Sequence, residues 1–79
     1  MKLKDMRCND RAKVVGYDDA TENAYDETLE YLLVLGLTQG TVITLRKIAP
    51  MGDPVVIQVG GYSLSLRKYE ADCLLLERA

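Results

Sequence analysis

Few side chains in this 79-residue sequence are equipped for chemistry. Two cysteines, Cys8 and Cys73, and a block of six carboxylates (Asp18, Asp19, Glu22, Asp26, Glu27 and Glu30) are the residues able to supply thiolate or carboxylate ligands to a divalent transition metal. The cysteines are separated by most of the chain, so only the fold could join them. Cys73, beside Leu74 and Leu75, has the setting of a buried small hydrophobe, and Cys8, between Arg7 and Asn9, that of an exposed thiol. There is no histidine, which removes the commonest general base and the commonest transition-metal ligand. Gly60-Gly61 is too short to cradle a phosphate and has the pattern of a hairpin turn. No nucleophile sits beside a base, and nothing apolar flanks the carboxylates to raise a pKa. Enzymatic activity is therefore not expected, and neither a catalytic residue, a metal site nor a cofactor is assigned.

Composition narrows the class further. The net charge is −2, but it is segregated: residues 1–17 carry a net +3, residues 18–45 a net −6 with no basic residue, and residues 46–79 a net +1. The acidic block suits a solvated loop and the first turns of a helix, where carboxylates favour the positive end of the dipole, or a surface for a cation or a basic partner. A net acidic chain argues against nucleic-acid binding driven by bulk charge. With 48% hydrophobic residues the chain is not of disordered type. At this length, folding buries about 63% of the unfolded surface, enough for one thin core and a single domain over residues 1–79. The longest apolar run, Leu32 to Leu35, falls far short of a membrane span, so no membrane insertion is expected. The N-terminal residues include basic ones but no apolar stretch, so no leader is expected and the cytoplasm is the expected location. Two cysteines do not make a disulfide framework.

The elements that must position these residues follow from periodicity. Arg11 to Val15 alternates charged and apolar before Gly16 and reads as a strand. Leu29, Leu32, Leu33 and Gly36 lie at i, i+3, i+4 and i+7, the stripe of an amphipathic helix over residues 26–35, with Asn23 or Asp26 as its cap. Gly36 suits the left-handed position after the helix, and Leu37 the hydrophobic residue that folds back on it. Thr41 to Ile48 alternates with Ile43 and Leu45 on one face and Val42 and Thr44 on the other. Ala49-Pro50-Met51-Gly52 reads as a turn, with Pro50 presetting φ and Gly52 free to go left-handed. Val55, Ile57 and Val59 share a face of the next strand, Gly60-Gly61 makes the hairpin, and Tyr62, Leu64 and Leu66 alternate on the strand after it. A helical turn near 67–73 and a last strand from Cys73 to Glu77 complete the chain. The fold class is mostly β, with about five short strands that curl and close into a small barrel to hide their edges.

Four motifs in register then point to a family. Leu-Gly-Leu-Thr-Gln-Gly-Thr (35–41), Ala-Pro-Met-Gly-Asp-Pro (49–54), Val-Gly-Gly-Tyr-Ser-Leu-Ser-Leu-Arg (59–67) and Glu-Ala (70–71) together resemble the FeoA family, small accessory proteins of bacterial ferrous iron transport. The resemblance covers about 50 residues well, from Leu29 to Leu76, and residues 1–28 loosely. It implies an SH3-like barrel with one or more short helices. It also implies a partner, the membrane transporter FeoB with its cytosolic GTP-binding domain. The same domain ends iron- and manganese-dependent repressors, but no helix-turn-helix precedes it here, so the chain is expected to stand alone. The chain departs from the family pattern at Tyr31, where the family usually has an Arg, at Gln39, where it often has a Pro, and in the segment Tyr17 to Tyr25, which is acid-rich and slightly long.

Partner binding is the main functional expectation, through loops or one exposed groove. The Pro50–Pro54 turn could present Met51 at a loop tip, with Asp53 beside it, or Met51 could fold onto the barrel. The helix face carrying Tyr31 and Val34 could be an apolar patch, or could be buried on a second side. Arg67 is expected to cap the turn or pair with Glu70, and Gly36, Gly40, Gly52, Gly60 and Gly61 to serve turns. Tyr62 and Tyr69 suit the edge of a core that lacks Phe and Trp. Tight Fe(II) binding is not expected; weak or transient association is compatible with the residues. Two alternatives remain. One is a stand-alone regulatory or nucleic-acid-binding module using Arg46, Lys47, Arg67 and Lys68 as a basic strip. The other is self-association through exposed strand edges.

Overall fold

The computed structural model describes the backbone of residues 1–18 and 22–79 and the side chains of residues 1–18 and 27–79. Five strands are formed: β1 (Arg11–Tyr17), β2 (Val42–Ile48), β3 (Val55–Val59), β4 (Tyr62–Leu66) and β5 (Leu74–Arg78). They make one antiparallel sheet in the order β4-β3-β2-β1-β5. Helix α1 (Glu22–Val34) bridges β1 and β2, and a single turn, α2 (Lys68–Ala71), bridges β4 and β5. A 3-10 turn, Leu3–Asp5, lies before β1, and a tight non-helical turn at Pro50–Gly52 joins β2 to β3.

The alternation in each strand decides its inner face. Ala12 and Val14 of β1, Ile43 and Leu45 of β2, and Val55, Ile57 and Val59 of β3 are buried. They meet Leu32, Leu37, Leu66 and Leu74, all fully buried, in one core. Extra residues at Val15 and Arg46 break the register of β1 on β5 and of β2 on β3. Such bulges bend and twist the strands, which is how so few residues coil around a core. The accessible surface, 4927 Å², is close to the roughly 4,800 Å² expected of a compact chain of this mass.

The sheet curls but does not close: β4 and β5 are not paired, and α2 runs between them. The strands are therefore hidden from water less completely than a closed barrel would require. The outer edge of β5 is partly covered by the N-terminal segment, where the Leu76 N–H donates to the Met1 carbonyl at 2.8 Å. Lys2 holds that segment down, pairing with Asp18 and donating from Nζ to the Asp72 carbonyl at 2.8 Å. Leu3 and Met6 are thereby buried.

Helix α1 begins four residues before the expected Asp26, so Asn23 and Asp26 lie inside it and its cap falls outside the described residues. Its inner face is set by Thr28 and Leu32, both buried, while Leu33 is 42% exposed. The helix thus turns its Leu32 side to the core and leaves Leu33 off the seam. It stops as a Schellman motif: Leu37 N–H donates to the Leu32 carbonyl and Gly36 N–H to the Leu33 carbonyl, each at 3.0 Å, with Gly36 at φ +92°.

Candidate functional site

Three consecutive carbonyls follow α1, and each accepts a side-chain hydrogen bond. Tyr62 Oη donates to the Leu35 carbonyl at 2.8 Å, Thr41 Oγ1 to that of Gly36 at 3.2 Å, and Tyr17 Oη to that of Leu37 at 2.6 Å. These donors come from β4, the residue just before β2 and the end of β1, so the helix terminus is tied to the sheet at two strands and at the approach to a third. Tyr17 and Tyr62 are thus bonding groups, a role their sequence positions do not signal. Tyr17 is partly buried and packs against the core, where its apolar ring is covered and its hydroxyl satisfied. Tyr62 and Tyr69, expected at the edge of the core, are 47% and 60% exposed, so neither is an edge-of-core residue.

This clamp fixes the outward face of α1. Val34 is 79% exposed and Tyr31 45% exposed. Burial of that face on a second side, one of the two readings, does not occur. With Leu33 they form an apolar run on the last turn of the helix, which carries no basic residue.

The second exposed feature is the connection from β2 to β3. Gly52 N–H donates to the Ala49 carbonyl at 2.9 Å, closing a four-residue turn, and the Ala49 N–H donates to the Pro54 carbonyl at 3.0 Å. In that turn Pro50 occupies the second position, which its ring presets. Met51 occupies the third, at φ +70° and ψ +11°. Those angles are the ones a type II turn demands of its third residue, where glycine is favoured. Gly52 is also left-handed, at φ +78°, so the special conformation falls on two residues and not on Gly52 alone. Met51 does not fold onto the barrel: it is 98% exposed. Asp53 is less available. Its carboxylate accepts the Lys68 N–H at 3.0 Å and so braces the first turn of α2.

Beside Met51 lies a cavity of about 230 Å³, lined mainly by apolar atoms. Leu3, Val55 and Ala71 form its apolar lining with Ile48, Gly52 belongs to the Met51 turn, and Lys4, Lys68 and Asp72 supply its polar groups. Sequence reasoning missed this cavity because its walls come from the N-terminal turn, the β2–β3 connection and α2, which are distant in the chain.

The remaining candidates are structural. Arg67 does not cap or pair through its guanidinium; instead its backbone N–H donates to Glu70 Oε1 at 2.8 Å. Gly36, Gly40, Gly52 and Gly60 take positive φ, and Gly61 does not. Arg46 Nε donates to Gln58 Oε1 at 2.8 Å and its NH1 to Asn9 Oδ1 at 3.1 Å, so this member of the supposed basic strip is already engaged. Cys8 is exposed and Cys73 buried, with Cys73 Sγ donating to the Tyr69 carbonyl at 3.3 Å. Burial pushes the Cys73 thiol pKa up. Asp10 has its carboxyl pKa lowered, chiefly by the backbone N–H of Arg7, against the opposing effect of desolvation and with lesser help from Arg78. Among the described residues, no three His, Cys, Asp or Glu side chains are grouped so as to hold a metal ion. Among the same residues, no helix is long and apolar enough to cross a membrane.

A coiled five-stranded antiparallel sheet with its crossing helix and exposed connections defines a small SH3-like domain. The model of the FeoA domain matches residues 1–78, and the chain belongs to the FeoA family, small proteins associated with ferrous iron transport. Solved structures agree. An FeoA-like protein from Clostridium acetobutylicum is 35% identical, with 99% of this chain and 85% of that one covered and a TM-score of 0.81. FeoA from Chlorobium tepidum is 32% identical, over 99% of this chain and 70% of that one, with a TM-score of 0.80. FeoA of Stenotrophomonas maltophilia, solved in complex with zinc and described as a procaryotic SH3 domain protein, is 27% identical over 98% of this chain and 89% of that one, with a TM-score of 0.80.

Proposed function

We propose that this chain is a non-enzymatic cytoplasmic accessory protein that docks on the cytosolic part of an FeoB-type ferrous iron transporter through the Met51 turn. The observation that carries this reading is Met51 itself. An almost fully exposed methionine is held in a left-handed conformation that glycine would adopt without strain. Strain of this kind is a pointer to function, because nothing in the packing of the chain requires a large side chain there. The side chain is long, apolar and adaptable, which suits insertion into a partner's groove. The neighbouring apolar cavity is sized to take an apolar side chain in return. The Tyr31 and Val34 face offers a second apolar contact.

Docking changes transport only by favouring one transporter state over another, since a ligand shifts an equilibrium by its differential affinity for the two states. No step requires the chain to carry iron, and any Fe(II) association is weak and transient on this reading. An anaerobic titration with a stoichiometric, low-micromolar endpoint would overturn that part.

The docking test is retention of the chain by the transporter's purified cytosolic region, for the wild type and for Met51→Asp. The substitution places a charge on a fully exposed tip and leaves the core untouched, so the fold persists. Loss of retention supports the reading. Unchanged retention by a normally folded variant removes the Met51 turn from the interface. Restoration of anaerobic Fe(II) uptake in cells lacking the chain, by the wild type and not by Met51→Asp, ties the contact to transport.

A further inference from the structure

We propose that the free edge of β4 pairs with β4 of a second copy of this chain, antiparallel about Leu64. This goes beyond docking on a transporter and does not depend on it.

The two edges of the sheet are treated differently. At the β5 edge the N-terminal segment bonds Leu76, and the strand ends in Glu77 and Arg78, charges that discourage further pairing. The β4 edge has neither device. Among the described residues, its backbone bonds only β3. Its sequence, Tyr62-Ser63-Leu64-Ser65-Leu66, contains no charge and no proline. A bare, uncharged edge strand is a template for another strand.

The hairpin fixes which groups are free. Val59 and Tyr62 close a two-residue turn, so hydrogen-bonded pairs with β3 fall at Tyr62, Leu64 and Leu66. The N–H and C=O of Ser63 and Ser65 therefore point to the open edge. Strands meeting antiparallel about a twofold at Leu64 place Ser63 opposite the second copy's Ser65, and Ser65 opposite its Ser63. Both pairs exchange backbone bonds. Leu64 then meets its own copy, and Tyr62 meets the second copy's Leu66. The basic residues Arg67 and Lys68 fall opposite Gly61 and Gly60, so no like charges meet. Shifting the register by one pair in either direction loses part of the five-residue overlap, and one of the two shifts brings Arg67 opposite Ser63. The sequence is thus complementary to itself in one register. The second copy is the occupant favoured, because this match needs no other chain.

A five-residue strand contact is small against the roughly 1,000 Å² of a stable interface, so the dimer is weak. The test is sedimentation of the full chain from about 10 µM to about 1 mM. The weight-average mass is expected to rise toward twice the monomer value with concentration. In Ser63→Lys/Ser65→Lys, like charges meet at both serine pairs, and association is expected to weaken at least about tenfold. In Ser63→Lys/Ser65→Glu, opposite charges meet in the same register, and association is expected to match or exceed the wild type. The wild type also carries its own readout, free of any folding defect. Amide exchange at Ser63 and Ser65 should slow as concentration rises, while that of exposed loop amides does not. A wild-type chain that stays monomeric throughout overturns the proposal and leaves the edge to a strand from another protein. Equal association of the two charge variants overturns the register.

Discussion

The hydroxyl of Tyr62 stands 2.7 Å from the place that a Cβ on Gly36 would occupy. The same hydroxyl donates to the carbonyl of Leu35, one residue earlier. Gly36 is thus required twice, once by its left-handed φ of +92° and once by the tyrosine packed against it. Gly36→Ala is expected to cost about 1 kcal/mol from backbone strain and about 1 kcal/mol more from the displaced hydroxyl. Tyr62→Phe alone costs about 1 kcal/mol for the lost bond. In the Tyr62→Phe background, Gly36→Ala should cost only the strain. Urea titrations of the four chains measure the coupling, and strict additivity would show that the contact is not felt.

Met51 reverses the usual rule for loops. Glycine in place of another residue ordinarily loosens the unfolded chain and costs about 0.5–1 kcal/mol. Here Met51→Gly also removes about 1 kcal/mol of left-handed strain, and it deletes a side chain that packs on nothing. Stability should therefore stay level or rise slightly, while retention by the transporter's cytosolic region falls. A chain that loses stability and keeps its partner would contradict both halves of the argument.

Asp10 gives the fold an acid limb. Its folded pKa is lowered, mainly by the Arg7 N–H at 3.0 Å. The unfolded chain then binds this proton more tightly than the folded one. The stabilisation is present above the unfolded value of about 3.9 and is lost as pH falls through the lower folded value. Asp10→Asn should flatten the fall of the urea midpoint at acid pH relative to the wild type. The Arg78 contact, 3.3 Å and exposed, adds little, so Arg78→Ala should leave that limb nearly intact.

Much of the fold was legible because its signals are local. The Ile43–Leu45 and Val55–Val59 alternations fixed two inner faces, and Gly36 with Leu37 marked the end of α1, down to its closing bonds. The start of α1 was not legible: an acidic stretch with Asn23 and Asp26 offers more than one cap, and propensity alone does not choose. Leu33 misled because a helix packed on one side of a thin core buries only a narrow seam, here Thr28 and Leu32. The open gap between β4 and β5 was not legible, because the alternation within each strand does not encode whether the two edge strands pair. In the candidate site, Met51 was visible as a loop tip, but its exposure and left-handed backbone were not, since Gly52 next to it is the natural bearer of that conformation. The cavity and the tyrosine clamp join segments distant in sequence and left no pattern to find.

The two thiols should separate cleanly under an alkylating reagent. Cys8 is exposed, whereas Cys73 is buried, donates to the Tyr69 carbonyl, and has its pKa raised by burial. Reaction requires the thiolate and access, so Cys8 is expected to react first and Cys73 only as the chain opens. Intact-mass spectra over time should show one addition and then a slow second, with the second accelerated by urea. Two additions at one rate would place Cys73 at the surface.

Glu70 and not Arg67 carries the cap of α2. The carboxylate of Glu70 is buried and accepts the backbone N–H of Arg67 at 2.8 Å, a donor that survives any change of the arginine side chain. Arg67→Ala should therefore change stability by less than about 0.5 kcal/mol, as at other exposed positions. Glu70→Ala leaves that N–H without its acceptor and is expected to cost about 1–2 kcal/mol. Glu70→Gln keeps an acceptor oxygen and should recover most of the loss. Because α2 also supplies Lys68 and Ala71 to the cavity beside Met51, the Glu70→Ala chain should bind the transporter's cytosolic region less well even where it remains folded. Thermal melts of the three variants decide the stability order, and an Arg67→Ala chain as unstable as Glu70→Ala would return the capping role to the guanidinium.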